Sequence, residues 1–249
     1  MRPNHNLILS VAAIILFWHF ISASGVFNKT VFPSPFGVAL ALLNSAKSFE
    51  LFDNALASLI RVVIGLVIGV FLGIVVAFIT ANFKLFYDGF GRIINFIRSI
   101  PTIAMVPLSI VWFGIGEPSK IFIISLAVFF PVWVSSYSGF LRVDSDLLRA
   151  AEIYSRNKLD LLKVKFYAAM PLILTGIRIS IAYAFIVVVV AEMAGSIKGI
   201  GLMIETYRLF LQTDKMVAYM LMLGILGYVS DRLFISLSKK FFPYARIEG

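Results

Sequence analysis

Six stretches of about twenty or more mostly apolar residues constrain this chain more than any other feature of it. They run Leu7–Val26, Ala57–Ala81, Ile93–Phe113, Ile121–Phe140, Leu172–Ala191 and Met216–Leu237. A helix rises about 1.5 Å per residue, so about 20 apolar residues cross a hydrocarbon core about 30 Å thick. No water reaches that core, so each backbone amide and carbonyl must find its partner inside the segment, which an α-helix provides. The expected fold is therefore all-α: a polytopic membrane protein with about six transmembrane helices. With 60% of its 249 residues hydrophobic and 14% charged, the chain has too little polar surface to coat a water-soluble domain. The third stretch contains Arg98, Pro101 and Pro107, and counts as a span because neighbouring helices can satisfy carbonyls freed by proline.

The net charge of +9 invites comparison with nucleic-acid binders, which need a basic face with stacking aromatics. Here the basic residues lie between the apolar stretches and the aromatics within them, so no nucleic-acid partner is expected. With the N-terminus inside, fifteen of the 22 Lys and Arg fall on the inner side. Cytoplasmic loops carry that excess, which places both termini in the cytoplasm. The basic start, the first apolar stretch and SASG at Ser22–Gly25 also resemble a cleaved signal peptide. An uncleaved span is the preferred reading, since cleavage leaves five spans and an outside N-terminus. In Phe27–Leu56 the prolines predict a turn, followed by an amphipathic helix at the outer interface.

Catalytic chemistry finds little material. Cysteine is absent, which removes disulfides and thiolate sites. The two histidines, His5 and His19, offer no metal cluster and no Ser/His/acid set. GSIKGIG at Gly195–Gly201 lacks the spacing of a phosphate-cradling loop. Asp144 and Asp146 flank a helix start, where acids cap amides and suit the dipole. No catalytic residue, metal or cofactor is expected on this chain.

Gly65, Gly69 and Gly73 recur every four residues, stacking on one helical face where another helix can approach closely. That face serves either ordinary packing or a route lining and subunit contact. Arg178, seven residues beyond Pro171, must face protein or water. It either snorkels to the inner surface, helps an anion pass, or pairs structurally; Arg61 has the same ambiguity. Glu192 ends the fifth span as a helix-end contact or part of a gate. Gly199 and Gly201 allow the following loop to turn back into the protein. Asp231 and Arg232 are adjacent, so they point about 100° apart on a helix and each needs its own partner.

The charged interruption VDSDLLRAAEIYSRNKLDLLKVKFYAAMP, Val143–Pro171, is the most polar run of the chain. Ser145 or Asp146 is expected to cap one short helix, Ser155–Asn157 to make a turn, and a second short helix to end where Pro171 opens span five. Such a hairpin projects from the membrane. It either offers a face to a soluble partner or closes on its own helix ends.

Within it, Val143–Ala151 resembles the start of the cytoplasmic motif of ABC-importer permeases, Glu-Ala-Ala, three residues, Gly. Arg149 stands at the Glu, Ala150 and Ala151 match, and Ser155 stands at the Gly. RSIPTIAMVPLSIVWFGIGEPSKIF at Arg98–Phe122, PSPFGV at Pro33–Val38 and VVVAEMAGSIKGIGLMI at Val188–Ile204 are similar to the nitrate/sulfonate/taurine-type permeases. The resemblance implies a single permease domain over 1–249, with its core at about 45–240 and a coupling loop at 143–171. It implies a homodimer in the membrane lipid, two ATPase subunits that bind ATP and Mg, and an extracytoplasmic solute-binding protein. Docking on the ATPase then falls to Arg149, Ala150, Ala151, Tyr154, Ser155, Arg156 and Asn157. The path or gate falls to Arg178, Glu192, Gly199 and Gly201. The rival function is a secondary transporter or channel that needs no ATPase, for which the internal repeats are not visible.

Overall fold

The computed structural model describes residues 5–28, 30–155 and 157–245, and every regular element among them is helical. In chain order these are α1 (His5–Ala23), α2 (Pro35–Lys47), α3 (Glu50–Asn82), α4 (Lys84–Ile97), α5 (Thr102–Phe113), α6 (Glu117–Leu141), α7 (Ser145–Tyr154), α8 (Lys158–Met193), α9 (Ile200–Leu209) and α10 (Thr213–Phe241).

Four of them, α3, α6, α8 and α10, are long and apolar enough to cross a membrane. They contain the second, fourth, fifth and sixth stretches. The third stretch is not one straight span: α4 and α5 meet at 90°. Pro101, at φ −56° and ψ 122°, donates no amide and pushes the residue before it out of the helical region, so the chain turns there. The first stretch forms the 19-residue α1, whose described apolar part, Leu9–Ala23, is shorter than a full span.

Two helices outrun their apolar stretches. Helix α3 starts at Glu50, with Glu50 and Asp53 in its first turn, where acids favour the helix dipole. The interfacial helix expected before Leu56 is thus α2 alone, its first turn closed by Ser34, whose Oγ accepts from the Gly37 amide at 3.0 Å. Helix α8 runs unbroken for 36 residues with Pro171 inside it. Pro171 therefore does not open the fifth span, and the second hairpin helix and that span are one helix.

The chain forms two compact units. One comprises the chain up to Ser58 together with Ile197–Ile225. Its apolar centre is Val38, Ala41 and Ala218, with Trp18, Leu42 and Val217 against them. The Trp18 Nε1–H donates to the Pro33 carbonyl at 2.9 Å, fixing α1 against the turn before α2. The other unit comprises Leu59–Ser196 and the chain from Leu226. Its centre is Ala77, Trp133, Phe140, Ala169, Met170, Ile173 and Leu174.

Close contact of α3 with α6 depends on the glycine face. A Cβ on Gly65 would lie 2.4 Å from Ile124, one on Gly69 2.5 Å from the Ser125 carbonyl oxygen, and one on Gly73 2.9 Å from Val132. Of the two roles open to this face, the structure gives it packing within the chain. Gly176 does the same for α8, where a Cβ would lie 2.6 Å from Ser135 on α6.

Candidate functional site: an exposed hairpin and a buried ionic cluster

Helix α7 and the start of α8 form the expected hairpin. Its cap is Asp144, one of the two acids expected to cap amides there, rather than Ser145 or Asp146: the Asp144 carboxylate accepts from the Asp146 amide at 2.8 Å. Asp144 can do this because it sits in an extended conformation one residue before the helix, which aims its side chain at the free amides. At the other end the Ser155 hydroxyl donates to the Ala151 carbonyl at 2.6 Å. Asn157 caps α8 by accepting from the Asp160 amide at 3.0 Å. Arg156 lies outside the described residues.

The turn presents apolar surface. Ile153 and Tyr154 are 81% and 87% exposed, and Leu159 beyond the turn is exposed as well. Arg149 is exposed and approaches Asp146 only at 3.8 Å. Ala150 is exposed and Ala151 half-buried. Behind the hairpin, Phe166 and Val143 pack against the core centred on Trp133 and Phe140. Lys165 Nζ donates to Asn82 Oδ1 at 2.6 Å, tying the foot of α8 to the end of α3.

At the opposite end of α8 lies a cluster that the sequence announced only in part. Arg61 on α3 grips Glu117 with two parallel bonds, Nε to Oε2 at 2.6 Å and Nη2 to Oε1 at 2.7 Å. Its Nη1 reaches Glu192 Oε1 at 2.7 Å, and Lys120 Nζ adds 3.1 Å to Glu117 Oε1. The Glu192 side chain is fully buried and that of Arg61 is 7% exposed. Two cations and two carboxylates thus neutralise one another in a place where an isolated charge is costly. The cluster joins the start of α6 and the end of α8 to a point about 16 Å along α3. Glu117 was not singled out in the sequence. The available signal was that an arginine inside an apolar stretch needs an acid at the same depth.

The remaining residues fall into two groups. Arg178 is held by Asp231 on α10, Nε to Oδ1 at 2.9 Å and Nη2 to Oδ2 at 3.3 Å. Arg232 turns instead to the Tyr228 hydroxyl at 3.1 Å, so the adjacent pair does take separate partners. Gly199, at φ 138°, a region open to glycine, gives its amide to Asn54 Oδ1 at 2.8 Å. The Ile200 amide goes to Ser58 Oγ at 2.9 Å, and Gly201 is buried just inside α9. The start of α9 is therefore capped by side chains of α3. Among the described residues no three His, Asp or Glu gather into a metal-binding group.

Comparison with known proteins decides what this arrangement is. Residues 65–242 match the family described as the binding-protein-dependent transport system inner membrane component. The chain belongs to this family. The putative aliphatic sulfonates transport permease protein SsuC of Bacillus subtilis is 34% identical to this permease over 94% of its chain and 85% of the relative. The taurine transport system permease protein TauC of Escherichia coli is 30% identical over 94% and 88%. In fold the permease is similar to a chain of the MetNI methionine ABC transporter in an inward-facing form, with a TM-score of 0.58 at 17% identity, covering 84% of this chain and 98% of that one. The permease is the transmembrane subunit of an ATP-binding-cassette importer and a multi-pass membrane protein, with ATP hydrolysis in a separate subunit. An ATPase and a binding protein are its partners, which excludes the ATP-independent carrier or channel.

Proposed function

We propose that this permease imports a small organic anion of the alkanesulfonate class and takes its drive from an ATPase docked on the hairpin at 143–171. The pairing of apolar Ile153 and Tyr154, both almost fully exposed at the turn, carries the docking half of the reading. Adjacent large apolar side chains on a polar hairpin are a partner's anchor more readily than a solvated tip. Arg149, Ala150, Ala151, Ser155 and Asn157 are the described neighbours of that anchor in the hairpin, and Arg156 is assigned to the same docking role. The sulfonate half is supported by relatives from two bacteria whose names specify aliphatic sulfonates and taurine.

In this reading two copies form the path, both termini are cytoplasmic, and ATP with Mg stays on the ATPase. The excess of Lys and Arg on one side supports the orientation. The hairpin is tested by Tyr154→Asp in the complete complex. Loss of a desolvated aromatic anchor of about 2 kcal/mol weakens an interface about thirtyfold. Co-purification of the ATPase should collapse while membrane insertion persists; undiminished co-purification refutes the docking site. The substrate is tested by uptake of labelled ethanesulfonate into proteoliposomes holding permease, ATPase and binding protein. No accumulation above that of ATP-free vesicles refutes the sulfonate class.

A further inference from the structure

The geometry points to an anion-selective station inside the permease itself, at a cleft of about 450 Å³ built around Arg98; this rests on the sulfonate reading above. Arg98 and Ser99 stand at the break between α4 and α5, with Thr102 opening α5. Ser135 on α6 and Tyr183 on α8 complete the polar lining, and Phe130 forms the dry wall.

Depth comes from the helices. The ionic cluster at Arg61 holds Glu117 and Glu192 together, so the starts of α6 and the end of α8 share a level. From that level Tyr183 lies about 15 Å down α8 and Ser135 about 27 Å down α6, at the standard helical rise. The cleft thus opens between apolar helices, where a charged side chain must face protein, water or a permeant ion.

Three further observations make this a place for an anion. The guanidinium of Arg98 has no ion pair or hydrogen bond among the described residues, whereas Arg178 has its charge met by Asp231 and Arg61 by two glutamates. No acidic residue lines the cleft, and its side chains supply four hydroxyls. A sulfonate presents three acceptor oxygens, which a planar guanidinium binds two at a time and hydroxyls complete. Gly176 keeps Ser135 in reach, because a side chain there would collide with it at 2.6 Å.

The test uses the reconstituted complex with ethanesulfonate-loaded binding protein at saturation, so that selection by that protein is taken out of the comparison. Uptake and ATP hydrolysis are measured together. Arg98→Gln should slow uptake at least tenfold while binding-protein-stimulated hydrolysis stays within twofold, so that fewer molecules cross per ATP. Arg98→Lys, which keeps the charge and loses the fork, should retain a third or more of the uptake. Wild-type uptake by Arg98→Gln overturns the inference, as does a parallel fall in uptake and hydrolysis; the first is the result expected if Arg98 only meets lipid phosphates. Should Arg98→Gln fail to assemble, the paired Thr102→Val and Ser135→Ala variant decides: a threefold or greater fall in molecules per ATP supports the station, and an unchanged ratio overturns it. If the wild-type complex takes up no sulfonate, the substrate reading falls first and this station with it.

Discussion

Replacing Arg61 by methionine removes the one guanidinium that holds both Glu117 and Glu192. The two carboxylates do not suffer equally. Glu117 is half exposed and recovers water, so its share of the loss is small. Glu192 is fully buried, and taking away the cation from a buried pair costs about 3–5 kcal/mol. Against a total stability of about 5–15 kcal/mol that is a large fraction. For a chain of this size each kcal/mol moves the melting temperature by about 2–4 °C, so a fall of about 6–20 °C is expected. The assay is thermal unfolding of the detergent-purified permease, followed by loss of monodisperse protein. A compensated variant sharpens it. Arg61→Met with Glu192→Met replaces a buried pair by apolar groups of similar size, an exchange that is often neutral, and should regain most of the loss. A single Arg61→Met variant melting within 2 °C of wild type refutes the reasoning, and so does a double variant no more stable than the single.

Gly69→Ala should destabilise by about 1–3 kcal/mol, since its Cβ would meet the Ser125 carbonyl oxygen and Val128, whereas Gly224→Ala, with open space around it, should be neutral or slightly stabilising; equal melting temperatures for the two would show that α3 does not rest on α6 as described. Exchanging charges as Arg178→Asp with Asp231→Arg should restore at least half of what either single change removes from stability, and purely additive losses would show that this pair is not coupled.

The long apolar stretches were legible because twenty residues of one character need no partner to declare themselves. Where helices continue in polar sequence the hydropathy signal stops, although the helix does not. Glu50–Leu56 and Lys158–Met170 belong to α3 and α8 through first-turn acids and the Asn157 cap, which are weaker marks than apolarity. Proline misled twice, in opposite directions. Pro101 turns the chain by a right angle, and Pro171 sits inside a helix that carries on. The difference is set by packing, since Met170, Ile173 and Leu174 are buried around Pro171 while Pro101 is exposed.

The glycine triplet identified a face but not its partner. Similarly, the charges of Arg61, Glu117 and Glu192 were visible, but they meet across 56 and 131 residues of chain, a distance that no local pattern spans. The hairpin was legible in outline from its caps and its likeness to a known motif. Its cap is Asp144, one of the two acids expected there, and its second arm proved to be the foot of a much longer helix.

That continuity has a mechanical consequence. Helix α8 comes close to α6 at Gly176, about 27 Å from Lys158 and about 26 Å from Met193 at the standard rise. A continuous helix is stiff along its length, so a displacement of its Lys158 foot is carried to the head that Glu192 and Arg61 tie to α3 and α6. One stiff rod would thus join whatever moves the hairpin to the salt-bridged cluster at its far end.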